Sequence, residues 1–340
     1  MPRFSVLTIA LAATTALAAP QVANAQSREQ IRVVGSSTVY PFTTAVAENF
    51  AQETDFQPPI VESTGTGGGF QLFCEGVGAG HPDINDASRP MTDSERDLCA
   101  QNGVKNVTEL QVGNDGIVLA SDKSTDQLDV SRAQLWQALA AETVQDGEIV
   151  DNPYQRWSDI DSSLPDLDIV VFGPPTTSGT RDAFVELAME AGCAEFEAVK
   201  QLDEERKSTV CTQMRSDGGF VEAGENDNVI VQRLGSQSGS FGLFGFSYYD
   251  QNRADLQAAQ IGGVGPNADS IGSGDYSLSR PLFIYVKDAH VGSIPGLAEF
   301  LDYYTSPEVF GPNGFLIEQG LIPMTDDKRQ EVTDKVGSIS

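Results

Sequence analysis

The chain has 340 residues, of which 40% are hydrophobic and 21% charged, a composition typical of soluble globular proteins. This length predicts two domains or one large one. The formal net charge of −28 argues against binding to nucleic acid, which needs a basic surface. It also repels anions at long range, so an anion site would have to work by local hydrogen bonding.

The first 25 residues have the pattern of a secretory signal peptide. Arg3 forms a short basic region, residues 6–19 are apolar, and residues 23–25 read Ala-Asn-Ala, a cleavage site of the A-x-A type. No later stretch is apolar for long enough to span a membrane, and no cysteine stands at the cleavage site to carry a lipid. We therefore expect an exported, soluble protein that is cleaved near Ala25.

The chain has an even number of cysteines: Cys74, Cys99, Cys193 and Cys211. In an exported protein this number predicts two disulfides, and four cysteines permit three connectivities. We favour pairing of nearest neighbours, 74 with 99 and 193 with 211, because each bridge then stays within one predicted lobe. A metal site is the alternative, but there is no C-x-x-C and the two histidines, His81 and His290, stand alone, so no metal is expected.

The first predicted unit is a strand over residues 31–34, a hydroxyl-rich turn and a helix over 39–50. The turn reads Gly-Ser-Ser-Thr and ends in Ser37 and Thr38, with Val39 opening the helix. A turn of this kind leaves backbone N–H groups unpaired at the positive end of the helix dipole. These residues are the first candidate anion site.

The second unit is a strand over residues 59–63, followed by Thr-Gly-Thr-Gly-Gly-Gly and a helix beginning near Phe70. Consecutive glycines allow the backbone to approach a ligand closely, and Thr66 beside Gly67 adds a hydroxyl donor. The alternative is a flexible loop. A dinucleotide fingerprint is excluded because it would need glycine at position 70.

A short strand over residues 82–91 ends in a polar turn with Ser88 and Arg89, which could reach a ligand. Arg89 could instead pair with a nearby aspartate. A capping-box pattern over residues 92–95 then opens a helix. Residues 110–120 form an extended segment interrupted at Asn-Asp-Gly, around Asp115, and we interpret it as the first crossing between lobes.

The third unit repeats the strand, hydroxyl-rich turn and helix of the first two. A strand over residues 168–172 and a helix over 184–189 flank Ser178, Gly179 and Thr180. Arg181, in the first turn, would add a fork of donors suited to an oxyanion. The alternative is an ordinary helix cap with a solvated arginine.

The remaining pattern predicts helices over residues 131–141 and 229–233 and a strand over 240–249. A strand over 279–286 is the predicted second crossing, and helices near 294–305 and 326–336 pack back on the first lobe. Repeated strand–turn–helix units predict an α/β fold with mostly parallel sheets, in which ligands lie beyond the carboxyl ends of strands. A ligand held by all three turns would lie between two lobes joined by two crossings.

Four motifs now appear together in order: Gly-Ser-Ser-Thr-Val-Tyr-Pro from position 35, Gly-Thr-Gly-Gly-Gly from 65, Ala-Ser-Arg from 87 and Ser-Gly-Thr-Arg from 178. They resemble the phosphate-binding protein of the bacterial Pst-type ABC transporter, over nearly the whole mature chain. The resemblance implies a type II periplasmic binding protein, with two α/β lobes joined by two hinge crossings and the ligand in the cleft. We place lobe I at residues 26–115 plus 283–340 and lobe II at 116–282.

The resemblance also implies the function. The protein would bind inorganic phosphate with high affinity in the periplasm and deliver it to the membrane permease of an ABC importer by closing its cleft. It would be a monomer, with no cofactor and no enzymatic activity. The residues that match ligand-binding positions of the family are Thr38, the backbone of Val39, Thr66, Ser178, Gly179 and Thr180.

Two positions depart from the family pattern. Some members have an aspartate that accepts the proton of monohydrogen phosphate, and Ser88 stands at that position, followed by Arg89. The arginine that precedes Ser-Gly-Thr in those members corresponds to Pro174, and we expect Arg181 to replace it. Rejection of sulfate needs an acceptor for the ligand's proton. Asp115 and Asp86 are the candidates, and either could equally be a structural turn residue.

Other functions stay open on the sequence alone. Within the same class, the ligand could be another tetrahedral oxyanion such as sulfate, molybdate, tungstate or a phosphonate. A secreted phosphatase-like hydrolase would use a hydroxyl such as that of Ser178, but the histidines are far away in sequence and no hydrolase motif is present. An adhesion or signalling module is the third possibility.

Overall fold

The computed structural model describes residues 28–224 and 227–339, and the predicted signal peptide lies outside this range. The strands of the described chain are β1 (Arg32–Gly35), β2 (Ile60–Ser63), β3 (Ile84–Ala87), β4 (Val107–Asp122), β5 (Asp129–Val130), β6 (Glu142–Gln145), β7 (Glu148–Asp151), β8 (Val171–Gly173), β9 (Phe220–Glu222), β10 (Phe241–Gly245), β11 (Leu256–Ala258), β12 (Gln260–Ile261) and β13 (Ser279–Lys287).

The helices are α1 (Tyr40–Glu53), α2 (Thr66–Phe73), α3 (Asp93–Gln101), α4 (Arg132–Leu139), α5 (Trp157–Ile160), α6 (Gly179–Phe184), α7 (Ala191–Cys193), α8 (Glu197–Lys200), α9 (Glu204–Thr212), α10 (Asp227–Ser236), α11 (Phe246–Gln251), α12 (Ala268–Ser273), α13 (Leu297–Tyr304), α14 (Pro307–Phe310), α15 (Phe315–Glu318) and α16 (Asp326–Ile339). A π-helical segment, Val185–Glu190, joins α6 to α7, and a 3-10 turn, Asp288–His290, follows β13.

One sheet runs through both halves of the described chain, in the order β2-β1-β3-β13-β4-β10-β8-β9, with β11 also paired to β4. The strands β2, β1 and β3 are parallel at one end, and β10, β8 and β9 are parallel at the other. The two central strands, β13 and β4, are antiparallel to each other and to their outer neighbours. The predicted α/β fold is confirmed.

Strand β4 is the first of the two crossings. It pairs with β13 as far as Gly116 and with β10 from Ile117 onward. The predicted interruption at Asn-Asp-Gly is wrong, because these residues stay in the ladder: Asp115 is opposite Arg280 on β13, and Gly116 is opposite Ser279. The polar side chains mark the passage between two sheet halves, not a turn.

Separate hydrophobic cores lie on the two sides of these crossings. One cluster draws on residues 117–278 and includes Trp136, Trp157 and Phe241. Two others draw on residues 31–112 and 282–336, the larger around Phe50 and Tyr304. This separation supports the predicted lobe boundaries, which remain a proposal.

The C-terminal helices pack as predicted, since α13 and α16 contribute to the core of residues 31–112 and 282–336. One residue between them departs from this division. Ile322 exchanges backbone hydrogen bonds with Asn114 of β4, at 2.8 and 3.0 Å, and its side chain joins the cluster of residues 117–278. The C-terminal segment therefore touches both cores.

The predicted disulfide pairing is confirmed. Cys74, which ends α2, is bonded to Cys99 in α3, and Cys193 in α7 is bonded to Cys211 in α9. The capping box that opens α3 at Thr92 is also present.

The helix of the second unit begins at Thr66, four residues earlier than predicted, so its glycines are helical. A Cβ on Gly69 would lie 2.1 Å from Oδ1 of Asn85 and 2.5 Å from Cα of Gly35. The glycine therefore permits close packing of α2 on β1 and β3, and the loop alternative is wrong.

Two further boundaries differ from the prediction. The helix of the third unit begins at Gly179 rather than at 184. The segment over residues 240–249 is a strand only to Gly245 and then turns into α11. Alternating aromatic residues suggested one strand, but Phe246 and Tyr249 are three apart on a helix, where their ring centroids lie 6.3 Å from each other.

Candidate anion-binding site

A cleft of about 510 Å³ lies between the two halves of the molecule. The first half contributes Ser36, Ser37, Thr38, Gly65, Thr66, Gly67, Ser88 and Arg89. The second half contributes Thr176, Arg181, Asp182, Val185, Glu186, Glu190 and Thr212, and the crossing strand β13 contributes Arg280. Seven of the predicted ligand residues therefore line one cavity.

The first turn contributes hydroxyls more than free backbone donors. Oγ of Ser36 lies 3.2 Å from the backbone N of Thr38 and 3.4 Å from that of Val39 and accepts hydrogen bonds from both. The side chain of Val39 is buried. Ser37 reaches across the cleft and donates to the Asp182 carboxylate at 3.3 Å. The N–H groups expected to be unpaired are thus capped by Ser36.

The second and third motifs, which contain Thr66 and Ser88, meet at the floor of the cleft. Oγ1 of Thr66 lies 3.1 Å from Oγ of Ser88 and accepts the Ser88 N–H at 3.2 Å. Parallel pairing of β1 with both β2 and β3 brings the two turns together, because their strands end at the same edge of the sheet.

Arg89 forms a two-pronged ion pair with Glu95, with N–O distances of 2.9 and 2.8 Å. Its alternative pairing with an aspartate is therefore wrong, and the partner is the glutamate of the α3 capping box. The hydrogen bonds to Glu95 raise the pKa of Arg89. The arginine is a charged but already compensated part of the cleft wall.

Arg181 is buried, so the alternative of a solvated cap residue is wrong. Its guanidinium carbon lies 4.3 Å from the ring centroid of Phe220, and Nη1 donates to the Pro174 carbonyl at 3.3 Å. Nε is buried and has no hydrogen-bond partner among residues 28–224 and 227–339. Burial lowers the pKa of Arg181, while the charges of Glu222 and Asp182 act in the opposite direction. This arginine has unused donor capacity beside the cleft.

Ser178, Gly179 and Thr180 do not line the same cavity. They line a second cavity of about 190 Å³, together with Asp115 and Asp227. Ser37 and Thr38 belong to both linings, and a Cβ on Gly179 would lie 3.4 Å from the Ser37 carbonyl oxygen. The first and third turns thus pack against each other, and the predicted ligand set is divided between their two sides.

The two candidate proton acceptors have different surroundings. Burial raises the pKa of Asp115, although Arg280 opposes this effect. Asp86 faces the core, where Thr43 donates to it at 3.1 Å and also bonds Tyr304 at 3.0 Å. Burial raises its pKa well above the usual range. Asp86 lines neither cavity, so the structure does not bring it to the site.

Sequence reasoning missed Arg280, which is 6% exposed. Nη2 donates to Oγ1 of Thr38 at 2.6 Å, and Nη1 donates to the Glu186 carboxylate at 2.5 Å. Nε lies 3.6 Å from the Asp115 carboxylate. A signal was available, because an arginine inside an apolar strand implies a buried charge, which needs partners.

Sequence reasoning also missed the acidic residues of the cleft. Asp182, Glu186 and Glu190 are four residues apart along the helical segment that begins at Gly179, and all three line the cavity. Burial raises the pKa of Glu190, and the neighbouring charge of Glu186 adds to this effect. Their spacing is the pattern of one helix face and could have been found in the sequence.

Within residues 28–224 and 227–339, no group of three or more histidine, cysteine or acidic side chains is arranged to hold a metal ion. The helices of this part of the chain are all too short or too polar to cross a membrane.

Comparison with known proteins agrees with this architecture. Residues 20–308 match the family model described as the PBP superfamily domain. SphX of Synechocystis is 32% identical over 312 residues, which cover 89% of this chain and 80% of SphX. The phosphate-binding protein PstS of Staphylococcus epidermidis is 30% identical over 280 residues, which cover 81% of this chain and 74% of PstS.

A solved structure is also similar. It is that of a possible phosphate binding protein from Planctomyces limnophilus, with 30% identity and a TM-score of 0.72, covering 91% of this chain and 98% of that one. Two α/β lobes, two crossings and a cleft between them are the architecture of type II periplasmic binding proteins. The chain belongs to the PBP superfamily and, within it, to the PstS-like family of phosphate-binding proteins.

Proposed function

We propose that this protein binds inorganic phosphate in the cleft between its lobes and delivers it to the membrane permease of an ABC importer. Export to the periplasm, cleavage near Ala25 and action as a monomer belong to the same proposal. The names of the relatives support it, since PstS of Staphylococcus epidermidis is a phosphate-binding protein.

The observation that carries the proposal is the convergence of Arg89, Arg181 and Arg280 on one polar cleft. Arginine presents planar donors that match tetrahedral oxyanions, and two of these three are largely removed from water. Hydroxyls of Thr38 and Thr66 face the same space. Local donors of this kind can bind an anion despite the acidic net charge of the chain.

Binding without catalysis is the interpretation that the cleft supports best. A serine nucleophile needs a base within hydrogen-bond reach. Neither histidine lines the cleft. Instead, His290 Nδ1 lies 2.7 Å from the Asp83 carboxylate, and its Nε2 accepts the Gly78 N–H, also at 2.7 Å, so both ring nitrogens are engaged in lobe I.

Closure of the lobes would follow from better ligand contacts in the closed state. The first and third turns already touch through Ser37 and Gly179, and Ser37 bonds Asp182 across the cleft. An anion that bridges hydroxyls of one lobe and Arg181 of the other would add to these contacts.

The test is calorimetric titration of the ligand-stripped mature protein with phosphate, and then with sulfate, molybdate and methylphosphonate. We expect saturable 1:1 phosphate binding that survives excess sulfate. Tighter binding of sulfate or molybdate would replace the named ligand and leave the fold assignment unchanged. Absence of binding to all four anions would refute an oxyanion-binding function.

A further inference from the structure

Arg280 joins three parts of the molecule that the proposed function requires to act together. It lies on the crossing strand β13, directly opposite Asp115 on β4. Its two terminal nitrogens bond Thr38 in the first turn and Glu186 on the helical segment of the other lobe. Among the hydrogen bonds observed in the described chain, no other arginine side chain bonds residues on both sides of the cleft.

The guanidinium is not fully satisfied by these partners. Among the described residues its buried Nε has no hydrogen-bond partner, because the Asp115 carboxylate, at 3.6 Å, forms an ion pair with it but lies beyond hydrogen-bond distance. Thr38 is neutral. Glu186 is therefore the carboxylate in direct hydrogen-bonded contact with a desolvated cation, which would be costly to leave unpaired.

Glu186 is much more exposed to solvent than its partner. Its side chain is 43% exposed, whereas that of Arg280 is 5% exposed. Glu186 also stands next to Glu190 and Asp182 on the same helix face in the cleft, and like charges at this spacing repel each other. The contact with Arg280 holds the Glu186 carboxylate in the cleft against that repulsion.

The hydroxyl of Thr38 is oriented by the same arginine. Arg280 has only donors, so Oγ1 of Thr38 must accept the 2.6 Å hydrogen bond between them. The hydroxyl proton of Thr38 then remains available for a second acceptor in the cleft. Arg280 thus prepares a neighbouring donor for an anion.

We propose that Arg280 is an anion-binding residue and that the Glu186 carboxylate occupies its anion position until the ligand displaces it. This inference rests on the proposed function, because it takes a phosphate-like oxyanion as the ligand of the cleft. On binding, an anion oxygen replaces the Glu186 carboxylate at Nη1, Thr38 donates its hydroxyl proton to the anion, and Glu186 turns toward solvent.

The proposal makes opposite predictions for the two partners. Arg280→Gln should weaken the binding of inorganic phosphate at least tenfold, whereas Glu186→Gln should strengthen it about threefold or more, because the competing charge is gone. In the double variant, the gain from Glu186→Gln should disappear, since that competition acts through Arg280. Calorimetric titration with phosphate measures all three.

A matched pair outside the cleft controls for the change of net charge. Glu142 and Arg206 form an ion pair in the same lobe as Glu186, with N–O distances of 2.8 Å, and neither lines the cleft. Glu142→Gln and Arg206→Gln should bind phosphate as the unmodified protein does. Thermal unfolding of each variant checks that it is folded, and the exposed Glu186 gives a test that does not disturb the core.

The outcomes separate this inference from the proposed function. If the unmodified protein binds none of the oxyanions tested, the proposed function fails. If it binds phosphate, then unchanged affinity of Arg280→Gln overturns the role of Arg280. If Glu186→Gln binds phosphate no more tightly than Glu142→Gln does, displacement of the Glu186 carboxylate by the ligand is overturned. If Glu186→Gln loses affinity for phosphate but not for sulfate, displacement is likewise overturned, and Glu186 is instead the acceptor of the ligand's proton.

Discussion

Replacement of Arg181 by methionine should weaken phosphate binding while leaving the protein folded. Arg181 is 7% exposed, and within the described part of the chain its Nε has no hydrogen-bond partner. Its one observed hydrogen bond within the protein, to the Pro174 carbonyl, is 3.3 Å long. The buried guanidinium has therefore lost its contacts with water without gaining a full set of hydrogen bonds from the protein. A bound anion would supply the missing hydrogen bonds.

The expected magnitude follows from these contacts. A hydrogen bond to a charged group contributes about 1.5–3 kcal/mol. Loss of one such bond to the ligand corresponds to an increase in Kd of about tenfold to hundredfold, since each factor of ten is about 1.4 kcal/mol. Methionine retains an apolar contact with the Phe220 ring, so we expect the free energy of unfolding to change by no more than about 1 kcal/mol.

Calorimetric titration with phosphate gives Kd, and urea unfolding without ligand gives stability. The stabilisation that phosphate confers against heat is a second reading of affinity, because it depends on the ratio of ligand concentration to Kd. Arg233→Met is the control: Arg233 also lies over an aromatic ring, 5.1 Å from the centroid of Phe172, but lines neither cavity.

Arg181 does not bind the anion if Arg181→Met binds phosphate as tightly as the Arg233→Met control. A large loss of stability of Arg181→Met in the absence of ligand would contradict the expectation that the free energy of unfolding changes little. In that case Arg181 would be a structural cation with a partner other than the ligand.

Three further predictions concern other parts of the fold. Thr66→Val should raise the Kd for phosphate by about three- to tenfold, as expected for the loss of one hydrogen bond from a neutral hydroxyl. Because this change also removes the acceptor of the Ser88 N–H, the free energy of unfolding is measured together with Kd. Burial raises the pKa of Asp227 to about 6, so the folded protein holds this proton more tightly than the unfolded chain does and loses stability as the pH rises from about 4 to 6. Asp227→Asn should therefore be more stable than the unmodified protein near neutral pH, by up to about 3 kcal/mol in urea unfolding, and the difference should shrink near pH 4. Serine at both Cys193 and Cys211 should lower the free energy of unfolding by about 2–4 kcal/mol, as for a bridge that closes a loop of this length; an unchanged melting temperature would contradict it.

Local patterns predicted much of this structure correctly. The capping box at Thr92 and the nearest-neighbour disulfides follow from short-range chemistry, and both are present. The strand–turn–helix units also follow, because strand and helix periodicities differ. The strand predicted to continue past Gly245 shows the limit of such patterns, since aromatic residues at 246 and 249 fit either element until their packing partners are known.

The site was harder to predict because its members come from distant parts of the chain. Arg280 is 242 residues from Thr38, and their contact depends on the pairing of β13 with β3 and of β3 with β1. The Ser178 turn was correctly recognised as a helix start, but which side of the first turn it faces depends on how the lobes pack. Asp86 points into the core, where Thr43 donates a hydrogen bond to its carboxylate and also bonds the Tyr304 hydroxyl.

The backbone pairing of Ile322 with Asn114 restricts how the two lobes can move. It lies beside the strand crossings, and the Ile322 side chain is held in the core of the second lobe while its neighbours belong to the first. We therefore expect any rotation of the lobes to pivot near this pairing, so that their separation grows with distance from it. The mouth of the cleft would then open most, while the backbone pairing around residue 322 stays intact. Hydrogen exchange of the Asn114 and Ile322 amides should therefore stay slow with or without ligand.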